Sequence, residues 1–208
     1  MDGQEYLNQI SAEARPVKKG KGGRLGSLMA SPIFKAVAIG VALLVVIIIV
    51  GAALGNGKGG LEKQATSLLL HINNTSAVVS NYQDSLKSST LRSSSASLSS
   101  VLSNTSRDLT SYMTDNYKYK ASSVDKALTE SALLNKEGLE SELFNAKING
   151  ILDRIYAHKM GYEVSLIMNE TASVYNATSN DTLRNMMRTF YDSLGNLYTQ
   201  FNDFSETK

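Results

Sequence analysis

The sequence predicts an all-α protein: one N-terminal transmembrane helix followed by an extracytoplasmic, antiparallel bundle of about four long helices. Three observations carry that expectation. Nineteen consecutive residues, 36–54 (AVAIGVALLVVIIIVGAAL), hold no charge, hydroxyl or amide. Beyond them, apolar residues recur at alternating steps of four and three over long stretches, the pattern of a helix packed along one face. Both prolines, Pro16 and Pro32, precede the apolar run, so the remainder of the chain lacks the ring that breaks helices. Four segments result: a basic tail (1–35), the span (36–54), a glycine-rich linker (55–60) and the bundle (61–208).

The tail opens with Leu7, Ile10 and Ala14 at helical spacing, a short amphipathic turn at most, stopped by Pro16, and it reads as a disordered tail. Asp2 stands where N-myristoylation needs glycine, which excludes that lipid anchor. Arg15, Lys18, Lys19, Lys21, Arg24 and Lys35 outnumber Asp2, Glu5 and Glu13, while on the far flank of the span Lys58 and Lys63 are the only lysines or arginines up to residue 74. The positive-inside rule therefore puts the N-terminus in the cytoplasm and the bundle outside. The same cations attract anionic headgroups, at about 1 kcal/mol each near the surface.

As a helix the apolar run is about 28 Å long, close to the ~30 Å hydrocarbon core of a bilayer. It is longer than a secretory h-region and sits behind a leader too long for one, so it reads as a retained anchor. Gly51 and Gly55 form a GxxxG pair, the spacing that lets two transmembrane backbones approach. Gly55–Gly60 contains Lys58 but lacks both the spacing of a phosphate loop and a Ser or Thr after the lysine, and reads as a flexible collar.

The first bundle helix has its seam at Leu61, Ala65, Leu68, Ile72, Thr75, Val79, Tyr82 and Leu86, with a turn expected at 87–90. Ten serines between 88 and 106 suggest a linker by composition, yet Leu91, Ser95, Leu98, Leu102, Thr105, Leu109 and Tyr112 keep the helical rhythm. Serine in a seam buries little apolar area, so this helix is expected to be the least stable. Tyr117-Lys118-Tyr119-Lys120 ends it, the lysines offsetting the helix dipole. Ser122 or Ser123 is the expected cap of a third helix, whose broad seam runs through Leu128, Leu134, Leu139, Leu143, Phe144, Ile148, Ile151, Ile155, Tyr162 and Leu166. Asn135–Gly138 is the expected place for a kink or a break in it, and Gly150 and Gly161 each weaken it by ~1 kcal/mol. Thr178–Asp181 is a turn and cap before the last helix, with its seam at Leu183, Met187, Phe190, Leu194, Leu197, Phe201 and Phe204 and Tyr191 and Tyr198 alongside.

Chemistry is thin. The absence of cysteine excludes disulfides, thiolate metal sites and cysteine nucleophiles. His71 and His158 are the only histidines, with Glu163 and Glu170 as nearby acids for His158, and neither joins a zinc motif. Glu137, Glu140 and Glu142 read as a solvated face, and no serine elbow or nucleotide loop occurs. The expectation is no enzyme, no cofactor and no metal. Fifteen basic and sixteen acidic residues from 58 onward leave the bundle nearly neutral, which argues against nucleic acid. Asn-x-Ser/Thr sequons begin at Asn73, Asn74, Asn104, Asn169, Asn176 and Asn180, with Asn169 expected to be partly buried.

An anchored bundle of this size is similar in general form to bacterial four-helix sensor domains, a likeness of fold alone. The leading functional expectation is a single-pass, non-enzymatic interaction or structural module of the cell envelope, held in the bilayer and binding another envelope protein or itself. The alternative is a ligand-sensing bundle reporting through the cytoplasmic tail, with a cavity lined by Tyr156, His158 and Tyr162.

Overall fold

A computed structural model describes residues 58–204. The span, Gly51 and Gly55, and the tail with Arg15, Lys18, Lys19, Lys21, Arg24 and Lys35 lie outside the described residues. Among the described residues no helix is long and apolar enough to cross a membrane. Five helices make up this part: α1 (Lys58–Tyr82), α2 (Ser89–Tyr117), α3 (Lys126–Ile148), α4 (Leu152–Ala177) and α5 (Asp181–Asn202), with 3-10 turns at Gln83–Ser85 and Ala121–Ser123. Lys58, Gly59 and Gly60, expected in the linker, form the first turn of α1.

Local chemistry sets the breaks. Ser88 caps α2 by accepting from the Leu91 N–H, and Asp153 at the start of α4 accepts from the backbone N–H groups of Lys87 (3.0 and 3.1 Å) and Ser88 (2.6 Å). One carboxylate thus satisfies the turn between α1 and α2. Lys118 ends α2 in the left-handed region at φ 59°, a conformation strained for a side-chain-bearing residue. Asp125, rather than either expected serine, caps α3 by accepting from Ala127 N–H at 2.8 Å. Asn180 caps α5 through Leu183 N–H at 3.1 Å, inside the expected turn.

The largest departure from expectation lies in the third segment. The chain runs through Asn135–Gly138 as helix and reverses at Gly150, whose φ is +73°. Gly150 N–H donates to Lys147 O and Ile151 N–H to Ala146 O, a Schellman closure in which glycine takes the left-handed position without strain. A glycine weighed as a weak helical residue is therefore a helix end, and one long helix becomes the hairpin α3–α4.

Helices α1, α2, α5 and α4 form a ring in which each packs on the next and neighbours are antiparallel; α3 packs outside it on α1 and α4. Short connections set α1 against α2 and α4 against α5, contacts near helix ends (Lys87 to Asp153, Ser94 to Gln200) set the other two pairs, and further side-chain pairs tie the ring together. Asn73 meets Ser106 across α1 and α2, His71 meets Glu163 and Glu170 across α1 and α4, and Ser94 meets Gln200 across α2 and α5. Asn74 and Tyr82 of α1 reach Ala132 and Glu140 of α3, so α3 runs with α1. The seams of α1, α2 and α5 form the core almost as spaced, with Leu68, Ile72, Leu98, Leu102, Met187 and Leu194 fully buried.

Candidate interaction surface

Helix α3 is the thinnest attachment in the fold. It buries Leu139, Leu143 and Ala146, and polar side chains from its neighbours fasten the rest. Asn74 Nδ2 donates to Ala132 O at 2.8 Å, Tyr82 Oη to Glu140 O at 2.9 Å and Asn81 Nδ2 to Glu140 Oε1 at 3.0 Å. Lys159 pairs with Glu142, and Lys147 Nζ donates to Ser85 Oγ at 2.9 Å. Two of the docking bonds go to main-chain carbonyls already used within the helix, which have a second lone pair to offer.

With that inner face spent, Leu133 (48% exposed), Leu134 (57%), Phe144 (56%) and Ile148 (67%) stand in solvent. At 100° per residue they share a stripe about a quarter-turn wide, interrupted by Glu137 and Ser141. Leu134, Phe144 and Ile148 were expected in the seam. The correction is geometric: the true seam follows Leu139, Leu143 and Ala146, and these three fall on the opposite flank. A contiguous apolar face rimmed by charge is what protein contact sites look like.

The three residues of the expected cavity do not meet. Tyr156 points into the core, fully buried, with its ring edge-on to Phe201 at 6.3 Å, whereas His158 is exposed and Tyr162 is 40% exposed on another side of α4. Burial pushes the Tyr156 hydroxyl up to about 12, with the nearby Ser95 hydroxyl pulling the other way. Among the described residues, Tyr156 Oη and Ser95 Oγ find no hydrogen-bond partner outside their own pair. An open, polar hollow of about 330 Å³ lies between α2 and α5, lined by Asp108, Tyr112, Asp115, Asn180 and Met186 among others, and includes none of the three.

Glu163 and Glu170 are half-buried and take His71 instead of His158. His71 Nε2 lies 2.8 Å from Glu163 Oε2 and Nδ1 lies 3.2 Å from Glu170 Oε1. Both ring nitrogens face carboxylates, an arrangement suited to the doubly protonated ring. Burial alone lowers the pKa; the charge of Glu170, hydrogen bonds to both carboxylates and the charge of Glu163 overcome it and raise it to about 10. The imidazolium rivets α1 to α4, the two helices that carry α3. Among the described residues no group of three His, Asp or Glu is arranged to hold a metal ion. One signal in the sequence pointed here: Glu170 has no cation within a turn on its own helix and needs one from elsewhere. Asn169, expected to be partly buried, is exposed.

No protein-family model matches the chain, and comparison with curated proteins and with solved structures finds no match.

Proposed function

We propose that this protein is a single-pass, membrane-anchored interaction module of the cell envelope, acting without catalysis, whose docking face is the outer stripe of α3. Residues 36–54 span the bilayer, the basic tail stays in the cytoplasm, and the bundle stands outside. The observation that carries the reading is the exposure of Leu133, Leu134, Phe144 and Ile148 on one face of a helix held by three buried side chains. Exposing four large apolar groups forgoes about 1.5–3 kcal/mol for each that a core would have covered. Such a face is consistent with a partner that supplies the cover. The sensing alternative draws less support, because Tyr156 faces the core while His158 and Tyr162 face solvent on the other side of α4.

Two measurements test the reading. Carbonate extraction of the full chain from membranes is expected to leave it in the pellet at full length; release into the supernatant would remove the anchor. A photo-crosslinker in place of Phe144, in native membranes, is expected to capture protein, while one in place of exposed Ser103 on α2 captures none. Equal or absent capture at both sites would remove the docking face.

A further inference from the structure

We infer that the α3 face docks on the outer face of α5 of a second copy of this chain, the two helices running in the same direction. This rests on the reading of α3 as a docking face and adds its occupant. Apart from Tyr162, the large hydrophobic residues exposed among the described residues lie on α3 and α5. On α5 they are Tyr191 (42% exposed) and Tyr198 (37%), in line with exposed Arg184 and Arg188. The two stripes are complementary. On α3, Glu130 and Glu137 precede Phe144; on α5, Arg184 and Arg188 precede Tyr198. Glu130 to Phe144 and Arg184 to Tyr198 are the same number of residues, about 21 Å of helix. Laid parallel in that register, Glu130 faces Arg184 and Phe144 faces Tyr198, an aromatic pair, while Glu137 lies opposite Tyr191, about one helical turn from Arg188.

Direction supports the same match. Helices α3 and α5 both run with α1, so parallel docking leaves Lys58 of every copy at the same end, as copies anchored in one membrane require. Two α3 faces packed parallel would set Glu130 and Glu137 against their own counterparts, like charges that oppose association. Packed antiparallel, they would point the two Lys58 ends apart. Because α3 lies over α1 and α4 while α5 lies between α4 and α2, the contact is heterologous and repeats into a ring or a row.

The chain has no cysteine, so introduced ones report cleanly. With the full chain in liposomes, a mixture of Phe144→Cys and Tyr198→Cys chains is expected to give an oxidised dimer, neither variant alone to give one, and the double variant to give a ladder of dimers, trimers and larger species. Glu130→Arg with Glu137→Arg should cut the mixed product about tenfold or more, and Arg184→Glu with Arg188→Glu on the partnering chain should restore it. A dimer from Phe144→Cys alone, without mixed product, overturns the α5 assignment in favour of paired α3 faces. No cysteine product, with a photo-crosslinker at 144 capturing a different protein in native membranes, overturns the second copy and leaves the docking face standing. Neither product nor capture overturns both.

Discussion

Helices α2 and α3 invert what their compositions suggest. Ten serines between 88 and 106 fall largely within α2, which nonetheless buries Leu91, Ser94, Ser95, Leu98, Leu102, Leu109, Tyr112 and Met113 in the ring. Helix α3 is rich in leucine, glutamate, lysine and alanine, all good helix formers, and buries three side chains. Composition ranks α3 the sturdier; packing ranks α2. The period of the apolar residues decides whether a helix joins a core, and apolar residues off that period become surface. On α2, Ser94 and Ser95 are buried among the leucines; on α3, Leu133, Leu134 and Phe144 fall outside the buried seam.

That contrast can be broken or sharpened by substitution, measured as unfolding free energy of the full chain in mild detergent. Leu102→Ala on α2, at a fully buried position, is expected to cost about 2–5 kcal/mol; a loss below 1 kcal/mol would sink the claim that α2 is core. Asp153→Ala, which strips the turn between α1 and α2 of its acceptor, is expected to cost about 1.5–3 kcal/mol.

The platform under α3 carries a pH signature. The folded pKa of His71 is raised from 6.5 to about 10, so its stabilisation is complete below pH 6.5 and is lost as pH rises through 10. Denaturation from pH 7 to 10.5 should therefore show a decline that is shallower in a Glu163→Gln, Glu170→Gln variant; identical slopes would contradict the clamp. Where α2 ends, Lys118→Gly should gain up to about 1 kcal/mol by relieving the positive φ. Smallest of all, Phe144→Ser should change stability by no more than about 0.5 kcal/mol, even as it weakens association.

The sequence made the seams legible wherever one face repeats without a slip, as in α1, α2 and α5. It misread the third segment because apolar residues there occupy two faces, and period alone does not say which one is buried. The reversal at Gly150 is a backbone event, a left-handed glycine at a helix end, and in one dimension it looks the same as a glycine that merely weakens a helix. The His71 clamp and the Asp153 anchor join residues far apart in the chain, so their partners emerge only once the helices are aligned. The exposed face of α3 is legible as apolar residues and not as a face: Leu134, Phe144 and Ile148 suit a helical seam, and only the packing of Leu139, Leu143 and Ala146 on α1 and α4 leaves them outside.

The most direct test of that face is the rate at which a maleimide labels Phe144→Cys in the full chain, compared between membranes at native density and detergent at high dilution. The account predicts fast labelling in dilute detergent, where α3 is uncovered, and labelling slowed about tenfold or more in the membrane, where a partner covers it. Slow labelling in both would place Phe144 inside the bundle, and equally fast labelling in both would leave α3 without a partner; either result contradicts the account.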